Sequence, residues 1–282
     1  MGMDHQTTER RIIALGPWLE TPAGSYLKNW EQARLDILTA DIFGFNAIQI
    51  GLPEIQGLSA NRMPHKWLTD THLPEGREVP VVVVHDFTEL PFASQSLDLV
   101  VLPHVLEFAD EPHQVLREVE RVLIPEGQLI ITGFNPASMW GLRQVAGRLT
   151  GAHFLPMDGE FISVPRLKDW LKLLNMEVNR GHFGCYAPPC RTDKWLNRFA
   201  FMDKAGDRWW PYLGAVYVVQ AIKRIKGMRL IGPVWNKNRT PARQAVPATN
   251  QVQQGPRQES GQARNELARN TTNANNELAN NP

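Results

Sequence analysis

A chain of 282 residues, 43% of them hydrophobic, has enough apolar surface for a sizeable buried core and points to a globular protein. Its formal net charge of +1 excludes an overall field strong enough to draw in nucleic acid or an anionic membrane. Two cysteines, Cys185 and Cys190, exclude the disulfide framework of a small secreted domain, and the opening "MGMDHQTTERR" lacks the apolar core of a signal peptide, so the expected location is cytoplasmic.

In chain order, the first signal is helical. In "SYLKNWEQARLDILTADIFG" the residues Leu27, Trp30, Ala33, Ile37 and Leu38 recur at helical spacing, with Gly44 as the stop, and an N-terminal helical segment over 1–45 is predicted. "NAIQIG" from Asn46 reads as a short buried strand. "PVVVVHDF" is a β-branched run too short for a helix, and "LDLVVLP" and "GQLIITGF" repeat the pattern of strands buried on both faces. Between the last two lies a helix with Asp110 as cap, Pro112 in its first turn, and Val115, Leu116, Val119, Val122 and Leu123 on one face.

Strand, helix and strand at this spacing make a βαβ unit, which implies a parallel sheet. "SVPRLKDWLKLLNM" adds a helix, and "EVNRGHFGCY" and "YLGAVYVVQAIKR" add two strands. The predicted fold is α/β, Rossmann-like and doubly wound, with a mostly parallel sheet and helices on both faces in one domain over 46–236. From about Thr240 large apolar residues almost vanish, so an Asn/Gln-rich disordered tail is predicted over 237–282.

Ligands of open parallel sheets bind beyond the carboxyl ends of the strands, which directs attention to Gly51–Glu54, His85–Phe87, Pro103–Glu107 and Gly133–Pro136. Here the run "HDFTELPFASQSLDLVVLPHVLEFADEPHQVLREVERVLIPEGQLIITGFNP" resembles the central part of the class I S-adenosylmethionine-dependent methyltransferases, specifically the methyltransferase type 11 group. The match lies in its acid before "LPF", its "DLV" strand, its "VLEF" turn, its "REVERVL" helix and its "PEG" turn, in that order. The resemblance extends more weakly over about Leu35 to Arg224.

What it implies is a cofactor, S-adenosylmethionine, and a set of residues around it. Gly51 falls on the first glycine of the family's glycine turn, Gln49 stands where an acid is usual, and Pro53 and Ile55 stand where later glycines would be. Asp70 is the counterpart of the acid that binds the ribose hydroxyls, and Asp86 of the acid that meets the adenine amino group. Phe87 is the residue that packs on the ring, and Leu102, Pro103 and His104 form the segment along the reactive methyl.

Beside the cofactor, His104 is a candidate base: a neutral imidazole there would take a proton from an acceptor hydroxyl or amine, whereas a satisfied structural histidine is the plainer alternative. The implied activity is methyl transfer to an unidentified small or medium-sized acceptor. The alternative is a non-catalytic, methyltransferase-like binding or regulatory protein, suggested by Gln49, Pro53 and Ile55. An NAD-dependent dehydrogenase does not fit, because "GLPEIQG" lacks the three spaced glycines of its fingerprint.

Three other features stand out in the sequence. His182, Cys185 and Cys190 cluster in "HFGCYAPPC", but their spacing matches no zinc pattern; no metal is expected, and a loop beside the substrate pocket is the simpler reading. The basic stretch near 223–243 is a weak candidate for nucleic-acid or membrane contact. Trp195, Trp209 and Trp210 suggest either an amphipathic cover over the site or ordinary core packing.

Overall fold

The first strand begins where a carboxylate from another strand holds it. In the computed structural model, Asp98 accepts hydrogen bonds from the backbone N–H groups of Phe45 (3.0 Å) and Asn46 (2.9 Å), which seats β1 (Asn46–Ile50) beside β4 (Leu97–Pro103). Gly44 serves this junction: a Cβ there would stand 2.5 Å from the Asp98 side chain. It does not stop the preceding helix, which ends at Ala40 with Asp41 as its C-cap. The structure describes residues 15–70, 81–84, 87–151, 154–155 and 159–224, with the backbone alone at 81–84 and 148–150. These residues belong to the compact unit Met1–Arg229; the second unit, Leu230–Pro282, and with it the predicted tail, lies outside them.

Among the described residues the sheet has seven strands in the order β3-β2-β1-β4-β5-β7-β6, where β2 is His65–Asp70, β3 Val81–Val84, β5 Leu123–Phe134, β6 Met176–Gly184 and β7 Val216–Lys223. Pairs β1–β2, β1–β4, β2–β3 and β4–β5 are parallel, and β7 inserts antiparallel between β5 and β6. The carboxyl ends of β1, β2, β4 and β5 therefore share one edge, and the start of β7 joins them through the Phe134–Val216 pairing. The interior of β4 and β5 is fully buried from Leu99 to Leu102 and from Leu129 to Phe134, as a sheet covered on both faces requires.

Helix α1 (Pro22–Ala40) starts where its sequence supplies a cap: Thr21 Oγ1 accepts from the Gly24 N–H at 3.2 Å, and Pro22 occupies the first turn. The stripe it buries is Leu27, Glu31, Leu35 and Leu38, whereas Ile37, expected on the buried face, is exposed. Helix α2 (Pro112–Val122) buries Val115, Leu116, Val119 and Val122; its N-cap is Glu111 and not Asp110, with no side-chain cap bond. Further helices are α3 (Met139–Thr150), α4 (Val164–Leu173), α5 (Asp193–Arg198) and α6 (Phe201–Trp209), the last followed by a 3-10 turn at Pro211–Leu213. None of the described helices is long and apolar enough to cross a membrane.

Candidate active site

At the carboxyl end of β1 the chain turns through two left-handed residues, Gly51 (φ 73°) and Leu52 (φ 49°). Glycine suits the first because its missing Cβ would meet Val105 Cγ2 at 3.1 Å and the Phe87 ring at 3.4 Å. Among the described residues of the loop, Pro53 and Ile55 have no positive φ, so losing glycine there does not unmake this turn.

Gln49 holds the loop shut. Its Nε2 donates to the carbonyls of Gly51 (3.2 Å), Leu52 (3.1 Å) and Ile55 (2.6 Å), and its Oε1 accepts from the Gly57 N–H (2.8 Å). The side chain is buried, and its hydrogen bonds run to the loop backbone, where the resemblance implied a direct contact with the cofactor. An uncharged amide fits this task, since three carbonyls need a donor, which a carboxylate lacks.

Of the other residues implied to hold the cofactor, Asp70 is the last residue of β2 and is buried, Phe87 lies against Gly51, and Leu102 is the buried penultimate residue of β4. The turn, Asp70 and Phe87 lie at or beyond the carboxyl ends of β1, β2 and β3, the edge an α/β ligand uses. Asp86 lies outside the described residues.

The end of β4, in the middle of the sheet, carries the charged part of the site. His104 follows β4 with a left-handed backbone (φ 54°), a strained state for a side chain with a Cβ and one found often at functional sites. Its N–H donates to the Thr132 carbonyl (3.2 Å), and its ring lies 4.5 Å from that of Phe134. Glu31 of α1 stands 2.8 Å from Nε2 and Glu107 stands 2.9 Å from Nδ1, with all three side chains withdrawn from water. Glu107 Oε1 also accepts from the Phe134 N–H.

Burial by itself opposes charge on His104, but the Glu31 and Glu107 carboxylates outweigh it and hold the imidazole up to about 10. The ring is thus an imidazolium at neutral pH that donates from both nitrogens. Of the two readings of His104, this arrangement favours the satisfied structural histidine, because a charged imidazole has no lone pair with which to take a proton. Burial also pushes the Glu107 carboxyl up, against the lowering contributed by His104.

Three buried side-chain atoms among the described residues have no hydrogen-bond partner, and two of them flank this histidine. They are Glu31 Oε2, on the carboxylate that binds its ring, and Thr132 Oγ1, on the residue that accepts its N–H; the third is Gln220 Oε1. Orphaned buried polar atoms are costly, and beyond the carboxyl end of a strand they suit a polar ligand group.

Behind this group lie Tyr217 and Cys185, both raised well above their ordinary values by burial and then by nearby carboxylates, Glu107 for the tyrosine and Asp203 and Glu31 for the thiol. Among the described residues no group of three or more His, Cys, Asp or Glu side chains could hold a metal ion.

Glu31 escaped the sequence reading, although one signal for it was present. It sits four residues from both Leu27 and Leu35, so a charged residue occupies the buried stripe of α1.

The family model described as "Methyltransferase domain" matches residues 65–131. The Escherichia coli (strain K12) protein named "Uncharacterized protein YafS" is 31% identical over 242 residues, covering 85% of this chain and 94% of the relative. A malonyl-[acyl-carrier protein] O-methyltransferase of Laribacter hongkongensis (strain HLHK9) is 31% identical over 126 residues, 42% of each protein. Among solved structures, a chain of the complex between the Haloferax volcanii Trm112 methyltransferase activator and a methyltransferase shares the fold at 16% identity and a TM-score of 0.53, covering 77% of this chain and 98% of that one. With the glycine turn, the strand order and these matches together, the chain belongs to the class I S-adenosylmethionine-dependent methyltransferases, in the methyltransferase type 11 group.

Proposed function

We propose that this methyltransferase modifies an acceptor that brings an O–H or N–H group to Glu31, and that Glu31, not His104, takes up the proton released. The observation that carries this reading is the unpartnered, buried Oε2 of Glu31 on a carboxylate whose other oxygen is fixed by the His104 ring. S-adenosylmethionine, when bound, supplies an electrophilic methyl group on a sulfonium.

Gly51 gives the close backbone approach its methionine part needs, Asp70 offers a carboxylate to its ribose hydroxyls, and Phe87 offers an apolar face. Gln49 acts through the loop it holds. His104 orients Glu31 by donating from Nε2, while Glu107 fixes the ring from the other side. Positioning supplies much of the rate of an in-line displacement, and a base removes the proton as the new bond forms.

The intact turn at Gly51 supports an enzyme over a non-catalytic relative.

The test is titration calorimetry with S-adenosylmethionine and S-adenosylhomocysteine, on wild type and Glu31→Gln, followed by a screen for methyl transfer to phenols, alcohols and amines. Cofactor binding in both proteins, with transfer in wild type and a loss of about a hundredfold in the variant, is the expected result. Transfer undiminished in Glu31→Gln would sink the assignment of the base, and no binding of either ligand by the folded wild type would sink the reading as a whole.

A further inference from the structure

The segment from α5 through the 3-10 turn turns most of its large side chains outward. Among its residues only Leu196 of α5 and Gly206 of α6 are buried, while Trp195, Phe201, Trp209, Trp210, Tyr212 and Leu213 are exposed, Trp209 to 71% and Tyr212 to 73%. The core packing considered for Trp195, Trp209 and Trp210 is therefore not what the structure shows. Six large apolar side chains within nineteen residues is a concentration that a freely soluble surface seldom carries.

The charges interleaved with them have a sign. Lys194, Arg198, Lys204 and Arg208 are exposed, against the exposed acids Asp193 and Asp207. Asp203 belongs to the underside, where its carboxylate accepts from Tyr26 Oη and from the Tyr186 N–H at 3.0 Å. Tryptophan and tyrosine with a surplus of cations, on short amphipathic helices lying over the body of the protein, is the composition that settles at the headgroup level of a bilayer with anionic lipids.

The underside ties this segment to the active site. Asn135, just beyond β5, donates to the carbonyls of Tyr212 (2.8 Å) and Gly214 (2.9 Å), and Tyr186 Oη donates to the Pro211 carbonyl (2.9 Å). Tyr26, which holds Asp203, lies just over one turn of α1 before Glu31.

We infer that residues 193–213 dock the enzyme on an anionic lipid surface, so that an amphiphilic acceptor resting in that surface presents its polar end to the carboxyl edge of the sheet. The acceptor class rests on the proposed function; the docking does not.

The test is co-sedimentation of the full chain with phosphatidylcholine vesicles, with and without phosphatidylglycerol, for wild type, Trp209→Ser/Trp210→Ser and Lys204→Glu/Arg208→Glu. All four side chains are exposed, and circular dichroism checks that each variant is folded. Wild type is expected to bind the anionic vesicles with a blue shift of tryptophan emission. Each double variant is expected to bind at least tenfold more weakly, the charge reversal showing its loss most at low salt.

Wild type that stays in solution with anionic vesicles, or variants that bind as well as wild type, would overturn the docking. So would self-association that the same substitutions abolish while vesicles have no effect. Binding of S-adenosylmethionine, measured on the same samples, separates this outcome from failure of the methyltransferase reading.

Discussion

Glu31 and His104 meet at 2.8 Å with both side chains out of water, although 73 residues separate them in the chain. One comes from the helix ahead of the sheet and the other from the end of its fourth strand, so the pair exists only once α1 has docked. Breaking such a pair on one side leaves an uncompensated buried charge, which costs on the order of 3–5 kcal/mol. The same pair fixes which group carries the proton.

His104 should therefore be doubly protonated at neutral pH. Nitrogen-15 NMR of the imidazole at pH 8 is expected to show N–H on both ring nitrogens in wild type, and Glu31→Gln is expected to move its titration well below about 10. A single protonated nitrogen in wild type at pH 8 would return His104 to the role of neutral base.

The raised value also sets how stability responds to pH. A histidine held at about 10 in the folded state and near 6.5 in the unfolded chain stabilises fully below pH 6.5, and that contribution is lost as pH rises towards about 10. Urea midpoints are expected to fall between pH 6.5 and 9.5 in wild type and to change much less in Glu31→Gln. An equal slope in the two proteins would place the pH dependence elsewhere.

The strands were legible because the apolar runs at Val81–Val84, Leu97–Pro103 and Leu123–Phe134 have little else to do than fill a covered sheet. The antiparallel insertion of β7 was not legible, since an apolar run looks the same in either direction. In α1 the stripe drawn through Leu27, Trp30, Ala33, Ile37 and Leu38 matched the buried one at Leu27 and Leu38 but missed Glu31 and Leu35, and with Glu31 the acid that raises His104. The residue Gln49 was visible as an oddity, but its task depends on three carbonyls of a loop whose turn no periodicity describes.

That loop yields a prediction opposite to the usual preference for an acid at its first position. Gln49→Glu would face the carbonyls of Gly51, Leu52 and Ile55 with an acceptor in place of a donor, in a buried setting. The expected loss is about 3 kcal/mol of unfolding free energy, with weaker cofactor binding by calorimetry. Tighter binding of S-adenosylmethionine in this variant would mean that position 49 contacts the cofactor directly after all.

Gly184 ends β6 directly beneath Trp30, where an added Cβ would fall 1.9 Å from Cε2 and 2.2 Å from Cζ2 of the indole. No rotation of the methyl relieves such a contact, so Gly184→Ala must push Trp30 and the adjoining Glu31 away from the sheet. Overpacking costs about 1–3 kcal/mol, and the shift should also lower the titration of His104 by parting it from Glu31. Removing the indole makes room again: Trp30→Ala/Gly184→Ala is expected to be less destabilised than the sum of the two single variants, and its His104 titration should return towards that of wild type. Additive losses in denaturant midpoints would show that the two residues do not compete for the same space.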